Sequence, residues 1–184
     1  MRSVFSLIHS QFSDSLRALS RTRTITTVGL LLAIQMVLAS YGVIELSDSL
    51  KVSLAHLALA PTAILFGPVA AGLQGGLSDL LGFLLKPTGP YFPGFTLSAA
   101  LLGVVYGMLL YKTKQTTRQI IAARLLVCFI INIGLNTLFL TMLYGPSRLA
   151  TLPLRIVKNL MQLPIDCLLL GVVCRMVRRL PRDR

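Results

Sequence analysis

The sequence predicts an all-α integral membrane protein with six transmembrane helices and both termini in the cytoplasm. Three observations predict this fold class. The chain of 184 residues is 54% hydrophobic and only 13% charged, with a mean hydropathy of +0.76, which is too apolar for an ordinary soluble domain. The apolar residues form runs of about 17 to 25 between polar breaks, the length that crosses about 30 Å of hydrocarbon. The basic residues, finally, concentrate on one side of the bilayer if the number of spans is even.

The excess of positive charge indicates the orientation of the chain. The formal net charge is +12, and nucleic-acid binding competes with the positive-inside rule as its explanation. Thirteen of the 18 Lys and Arg residues lie in the N-terminal segment, in the middle polar break and its edge, or at the C-terminus. This distribution favours a multi-pass protein of the cell membrane, with those three regions in the cytoplasm and no nucleic-acid partner.

The chain divides into a leader, one membrane domain and a tail. Residues 1–22 are predicted as a cytoplasmic leader, either an amphipathic helix at the membrane interface or an unstructured basic segment. Residues 23–179 form the six-helix membrane domain, and residues 180–184 form a basic cytoplasmic tail. The apolar segments within the domain lie at about 24–43, 52–66, 68–86, 95–112, 119–143 and 152–178.

The first apolar segment carries two small residues at four-residue spacing, Gly29 and Ala33. Small residues at this spacing let two membrane helices approach closely. The contact they make is either with another helix of this chain or with a partner membrane subunit.

The second and third apolar segments are joined only by a Gly67-Pro68 break. This break favours a tight helical hairpin or a broken helix over two widely separated spans. The longer polar breaks, at 44–51, 87–94 and 144–151, fall on the outer side by this count. A substrate that arrives from outside therefore meets those breaks first.

A carboxylate inside the third segment needs an explanation, because a charge at the centre of a membrane costs about 2.5 to 3.5 kcal/mol. Asp79 follows a Gly-rich stretch, and Gln74 lies about one turn earlier. The two side chains can face the same interior space, where a carboxylate accepts paired hydrogen bonds from an amidine-like edge of a heterocycle. The alternative is a structural pair of Asp79 with Arg124 or with the sixth segment.

The break TGPYFPGFTLSAA combines aromatic residues with prolines. Rings held by prolines, such as Phe92 and Phe95, make a stiff wall suited to covering a flat ring, while Thr96 and Ser98 supply directional hydrogen bonds. The alternative is a generic aromatic turn at the membrane interface.

Polar residues form a stripe on the sixth segment. Arg155, Lys158, Gln162 and Asp166 are spaced by three, four and four residues, with Asn159 beside them. Two cations within one turn can clamp an anionic ligand, Arg as a planar fork and Lys as a point charge. The alternative for the two cations is snorkelling to lipid head groups, and the deeper Asp166 is interpreted as structural.

Motifs for enzymatic catalysis are absent from the sequence. It contains no Walker sequence, no HExxH and no Ser, His, Asp constellation, since His9 and His56 each stand alone. The three cysteines lack metal-ligand spacing. We therefore expect no catalytic residues, no metal and no cofactor. A membrane transporter that lacks both an ATPase and an ion-coupling site has to obtain its driving force from other subunits.

Several stretches together resemble a known family. The six-segment layout, the small-xxx-small first helix, GLSDLLG, GPYFPGFTLSA and LPLRIVKNLMQLP resemble the substrate-binding S components of energy-coupling factor transporters. The resemblance covers about residues 22 to 178. The FPGFTLSA and LRIVKN stretches point, within that family, to the members that bind folate.

The resemblance implies a fold, a ligand and partners. It implies an S-component bundle that binds folate from outside, topples in the membrane, and associates with a transmembrane coupling subunit and two cytoplasmic ATPases. By this resemblance, the flat pterin would lie against Phe92 and Phe95 and form hydrogen bonds with Asp79 or Gln74. The carboxylates of the glutamate tail would pair with Arg155 and Lys158. The family usually has an Ala-xxx-Ala pair where this chain has Gly29 and Ala33. The alternatives are an S component for another vitamin or a small integral membrane enzyme.

Overall fold

The computed structural model describes residues 2–41, 43–47, 50–53, 55–87, 90–113, 115–145 and 152–179, with the backbone alone at 2–7 and in the strands. The predicted tail at 180–184 and most of the break at 144–151 lie outside these residues. The elements in chain order are α1 Arg2–Leu19, α2 Thr22–Tyr41, β1 Val43–Ser47, β2 Leu50–Ser53, α3 Ala55–Phe66, α4 Pro68–Leu85, α5 Pro93–Leu110, α6 Thr117–Leu126, a π-helical stretch Val127–Leu135, α7 Asn136–Tyr144 and α8 Leu152–Arg179.

The helical membrane fold that the sequence predicts is confirmed. Within the described ranges, five helices are long and apolar enough to cross a membrane, namely Thr22–Tyr41, Pro68–Leu85, Pro93–Leu110, Thr117–Tyr144 and Leu152–Arg179. The helix α3 coincides with the second apolar segment but has 12 residues, or about 18 Å of rise against about 30 Å of hydrocarbon. The count of six complete spans and the side on which the termini lie therefore stay predictions.

A short antiparallel hairpin was not predicted. Strands β1 and β2 pair with Val43 opposite Ser53 and with an irregularity between Glu45 and Ser47. The hairpin connects α2 to α3 and occupies the first of the three polar breaks. It adds a small non-helical element to a fold that is otherwise helical over the described residues.

The helices α3 and α4 meet at the Gly67-Pro68 break, as a hairpin. Gly67 has φ +87°, a backbone conformation that a residue without a Cβ adopts readily. Pro68 then begins α4 at the position where its missing N–H costs nothing. The chain reverses direction within two residues, which is why the two apolar segments are so close in sequence.

A serine of α1 completes this break from a distant part of the chain. Ser15 is fully buried, and its hydroxyl donates to the carbonyl of Phe66 at 2.6 Å. The same oxygen accepts from the backbone N–H groups of Val69 at 3.1 Å and Ala70 at 3.2 Å. Ser15 thus satisfies the end of α3 and the start of α4, whose own N-cap position offers no side chain.

An ion pair holds α1 to the loop between α5 and α6. Lys112 Nζ donates to Asp14 Oδ2 at 2.7 Å. This hydrogen bond lowers the pKa of the Asp14 carboxyl and raises the pKa of the Lys112 ammonium relative to their ordinary values. We call this side of the bundle, with α1 and the Gly67-Pro68 break, the α1 end, and the side with the β1–β2 hairpin the hairpin end.

The tightest helix packing joins α4 to α5. A Cβ added at Gly103 of α5 would collide with the backbone of Ala71, and one added at Gly75 of α4 would collide with the backbone of Ala99. Small residues on both helices therefore let the two backbones touch. Around this pair the core contains Leu59, Ile64, Tyr106, Leu110, Val127 and Leu170, contributed by α3, α5, the π-helical stretch and α8.

Candidate ligand-binding site

Two adjoining cavities open among α2, α3, α4, α5, the π-helical stretch, α7 and α8. The larger has a volume of about 680 Å³ and the smaller about 500 Å³. Both are lined by Gln35, Ala55, Ser78 and Ala99, so the two chambers share a wall, and together they form the candidate site. The volume of each lies in the range of small-molecule binding sites.

The smaller chamber, which we call the aromatic cavity, is walled by the turn that begins α5. Phe92 and Phe95 line it together with Tyr91 and Phe83. The rings of Phe92 and Phe95 lie 5.9 Å apart edge to face, and Phe139 of α7 braces both at 5.6 and 6.4 Å. Tilted and edge-to-face contacts of this kind fix ring orientations. The rings therefore form a rigid apolar wall before any ligand arrives.

A hydrogen-bonded chain orients the carboxylate of the aromatic cavity. Thr96 Oγ1 donates to Asp79 Oδ2 at 2.6 Å, and Tyr91 Oη lies 2.9 Å from the same Thr96 oxygen. Because a hydroxyl carries one proton, Tyr91 is the donor to Thr96. Within the described part of the chain, Asp79 Oδ1 receives no hydrogen bond. Asp79 lines the cavity and can accept a bond from a ligand there.

The larger chamber, which we call the cationic cavity, has a wall of polar side chains. Arg155, Lys158, Asn159 and Gln162 of α8 all line it, as their helical spacing predicted. Asn159 Nδ2 donates to the backbone carbonyl of Arg155 at 2.9 Å, and so turns its amide oxygen away from the helix. No acidic side chain among the described residues pairs with Arg155 or Lys158. Both cations are available to an anion.

Behind the cationic cavity lies a buried polar cluster. Arg124 lines the cavity and donates through Nη2 to Asp166 Oδ2 and through Nη1 to Tyr106 Oη at 3.2 Å. His56 Nε2 lies 3.4 Å from Asp166 Oδ1. The side chains of Arg124 and Asp166 are 6% and 0% exposed. A buried ion pair of this kind needs its extra partners to offset the loss of hydration.

The same cluster answers whether Asp79 forms a structural pair with Arg124, an alternative that the sequence left open. Arg124 pairs with Asp166, whereas Asp79 bonds to Thr96. A structural pair between Asp79 and Arg124 is therefore not present. The interpretation of Asp166 as a structural residue agrees with its full burial and its ion pair.

A chain of amides and hydroxyls joins α2, α3 and α4 at the junction of the two chambers. Gln74 is fully buried; it accepts from the Thr62 hydroxyl and donates to Gln35 Oε1 at 2.8 Å. Gln35 Nε2 in turn donates to Ser78 Oγ at 2.9 Å. Gln35 lines both chambers, and Gln74 fixes its orientation from behind.

The residues singled out from the sequence therefore fall into two groups. Those that line a chamber are Asp79, Phe92, Phe95, Arg155, Lys158 and Asn159. Those that lie just behind the surface are Gln74, Thr96 and Ser98, and the last is buried with no hydrogen-bond partner for its hydroxyl. The structure adds Gln35, Arg124 and His56 to the lining. An amide within the apolar helix α2 was the available signal for Gln35, since polar residues in membrane segments are costly.

The small residues proposed for partner docking lie away from both chambers. Gly29 and Ala33 are exposed on α2, and no atom of the described chain lies within 4 Å of a Cβ placed on Gly29. Gly29 therefore does not serve close packing of α2 within the described chain. Among the residues that the structure describes, no three His, Cys, Asp or Glu side chains converge as a metal site.

Known proteins resemble this chain in sequence and in structure. The family model for the substrate-specific component of ECF transporters matches residues 23–174. The folate transporter FolT of Clostridium novyi (strain NT) is 33% identical over 131 residues, which are 71% of this chain and 76% of that protein. The folate transporter FolT of Leuconostoc mesenteroides subsp. mesenteroides is 32% identical over 151 residues, 79% of this chain and 80% of that protein. A crystal structure of FolT bound with folic acid matches with a TM-score of 0.76 at 33% identity, covering 88% of this chain and 96% of its own.

Proposed function

This chain belongs to the substrate-specific components of ECF transporters, and we propose that it captures folate from outside the cell and delivers it inward. The observation that carries the proposal is that an aromatic and a cationic chamber adjoin each other. Folate is divided in the same way, with a flat pterin at one end and a glutamate tail with two carboxylates at the other. The structural relative that matches with a TM-score of 0.76 holds folic acid.

The aromatic cavity suits the pterin. Phe92 and Phe95 are fixed by their contacts with Phe139, and a pre-formed aromatic wall binds a flat ring without losing side-chain entropy. Asp79 Oδ2 is occupied by Thr96, so Oδ1 is the atom that accepts from the amino-substituted edge of the heterocycle. A charge-assisted hydrogen bond of this type is stronger than a neutral one.

The cationic cavity suits the glutamate tail. Arg155 and Lys158 lie one turn apart on α8 and both line the chamber. Arg offers a planar fork that matches one carboxylate, and Lys offers a point charge to the other. Gln35, at the junction of the chambers, is placed to contact the part of folate that links pterin and tail.

Transport requires partners that provide energy. As a substrate-specific component, the chain has a capturing role and no catalytic role of its own in this proposal. A transmembrane coupling subunit and two cytoplasmic ATPases would supply the driving force, with the exposed Gly29 and Ala33 on α2 as the docking face. Ligand would enter from the hairpin end and leave on the opposite side after the bundle topples in the membrane.

The first experiment is calorimetric titration of the purified protein with folic acid. Because the chain contains no Trp, heat is a better readout than quenching of intrinsic fluorescence. We expect tight binding of one folate per chain, and no binding of riboflavin, biotin or thiamine as control ligands. Binding of one of the controls instead of folate would overturn the assignment of the ligand and keep the transport family.

A further inference from the structure

Among the residues that the structure describes, the cationic cavity has three positively charged side chains, of which only two are free to bind an anion. Arg124, Arg155 and Lys158 all line it, and no acidic side chain in the described part of the chain does. Arg124, however, is already paired with Asp166, a residue that lies behind the cavity wall and is fully buried. Among the described residues, the fixed charge next to the chamber is therefore that of two cations, contributed by α8.

From this we propose that Asp166 sets the charge of the cavity by neutralising Arg124, so that the site selects ligands whose tail carries two carboxylates. This inference rests on the proposed folate-binding function and extends it to the length of the glutamate tail. Folic acid, with one glutamate, carries two carboxylates, and every further γ-linked glutamate adds one. A cavity with two available cations matches the tail with one glutamate and leaves the charges of longer tails without partners.

The geometry of the Arg124 cluster supports a charge-setting role. The guanidinium is held by two acceptors, the Asp166 carboxylate and the Tyr106 hydroxyl, and only its Nε is without a hydrogen bond. A ligand carboxylate would have to displace Asp166 to gain a bidentate contact with Arg124. Asp166 is itself fully buried, with His56 Nε2 3.4 Å from its second oxygen, so its carboxylate has little room to move aside.

The size of the effect follows from the dimensions of the chamber. A cavity of about 680 Å³ is roughly 11 Å across if spherical, and at that separation one added unit charge in a protein surface environment changes the affinity of an anion by about tenfold. The effect acts on every carboxylate of the tail. It therefore grows with ligand charge, which a general loss of structure would not do.

The experiment measures the ratio of the dissociation constants of pteroyltriglutamate and folic acid. In wild-type protein we expect folic acid to bind more tightly. Asp166→Asn, which leaves Arg124 unneutralised, should shift the ratio toward the triglutamate by about tenfold for each of its two additional carboxylates, and Arg124→Gln should shift it in the opposite direction. The combined Arg124→Gln and Asp166→Asn variant, with both charges removed, should bind with a ratio within about twofold of wild type.

The combined variant also covers the case in which a single variant fails to fold. Removing one partner of a buried ion pair is strongly destabilising, whereas removing both is often tolerated. If the folded combined variant loses the preference for folic acid, Arg124 contacts the tail directly and the charge-setting role of Asp166 is wrong. Equal ratios in all folded variants would also overturn it, even if their affinities for both ligands were lower.

A matched control lies on the same helix. Arg175 is exposed on α8, nine positions beyond Asp166 and about 13 Å along the axis, so Arg175→Gln should leave the ratio unchanged. If the wild-type protein is folded but binds neither folic acid nor pteroyltriglutamate, the proposed function fails as a whole. If it binds folic acid and the ratios do not move, only the present inference fails.

Discussion

At the scale of single residues, we expect the two cations of α8 to matter most for affinity. Arg155 and Lys158 line the cationic cavity without an acidic partner among the described residues, so their charges are available to a ligand. A hydrogen bond to a charged group is worth about 1.5 to 3 kcal/mol, which corresponds to roughly ten- to 150-fold in affinity.

We therefore expect Arg155→Ala or Lys158→Ala to weaken folate binding by about 30-fold, the middle of that range. The measurement is calorimetric titration, with thermal unfolding to check that each variant is folded. Pteroic acid, which has no glutamate, is the matched ligand and should lose much less affinity. A folded Arg155 or Lys158 variant with unchanged folate affinity would exclude that side chain from the site.

Hydrogen bonding behind the site explains why several polar residues are buried in a membrane protein. Gln74 and Thr96 do not line either chamber, yet each holds a residue that does, Gln35 and Asp79 respectively. A buried amide or hydroxyl with its partners in place has little cost, whereas an unpaired one is expensive. The hydrogen bonds from Gln74 and Thr96 therefore fix the orientations of the cavity-lining side chains of Gln35 and Asp79 before a ligand binds.

At the scale of elements, α1 is part of the packed structure through one side chain. Ser15 makes three hydrogen bonds to the ends of α3 and α4, and two of them satisfy backbone N–H groups in the first turn of α4. Substituting a capping serine by alanine costs about 0.5 to 2 kcal/mol.

We expect Ser15→Ala to reduce the stability of the protein by about 1 to 2 kcal/mol, at the upper end of that range because the site is buried. The measurement is thermal unfolding in detergent, together with amide hydrogen exchange at Val69 and Ala70. Ser13→Ala is the matched control, since Ser13 bonds only to Ser10 within α1. If the two variants unfold at the same temperature, Ser15 is not the residue that holds α1 in place.

The π-helical stretch Val127–Leu135 is the second element that shapes the site. It interrupts the helix that runs from Thr117 to Tyr144, and the extra residue per turn changes the direction of the side chains that follow. Asn132 within the stretch and Asn136 immediately after it both line the cationic cavity.

At the scale of the whole molecule, the surfaces that we propose for ligand capture and for assembly are different. The chambers lie between the helices, whereas Gly29 and Ala33 are exposed on α2 with no neighbour close to Gly29. A large side chain there does not disturb packing inside this chain, but it prevents the close helix approach that small residues permit.

We expect Gly29→Leu or Ala33→Leu to leave folate binding by the isolated protein unchanged and to abolish uptake by the assembled transporter. Uptake of labelled folate in cells that supply the coupling subunit and ATPases is the measurement, with co-purification of those subunits as the readout of assembly. Ile34→Leu is the control, because that side chain is also exposed on α2 and already large. Normal uptake by both the Gly29 and the Ala33 variant would show that these two residues of α2 are not the docking face.

Much of this architecture was predictable from the sequence because helix length and hydropathy are local properties. The predicted segment at 24–43 corresponds to Thr22–Tyr41, and the one at 95–112 corresponds to Pro93–Leu110. The leader, for which a helix and an unstructured segment were both considered, is a helix at Arg2–Leu19. The β1–β2 hairpin was not predicted because its register depends on backbone pairing that hydropathy does not encode.

The lining of the site was predictable where neighbouring residues along the chain carried the pattern. The stripe of Arg155, Lys158 and Asn159 follows from helical spacing alone. The Arg124–Asp166 pair and the Gln35–Ser78 bond join residues 42 and 43 positions apart. Such partners depend on how the helices pack, and a single sequence does not specify that packing. The same limit applies to Ser15, whose partner Phe66 lies 51 positions away.

The short helix α3 has a consequence for how the protein is made. Its 12 residues rise about 18 Å, too little to partition stably into a bilayer alone. The first residues of α3, Ala55 and His56, line the cavities. The cavities therefore occupy part of the membrane thickness that the short helix does not span. We therefore expect the translocon to hold α3 until α4 has been synthesised and to release both as one hairpin, folded around the Gly67-Pro68 break. On this expectation, the cavities between the helices form during biogenesis, when α3 enters the membrane together with α4.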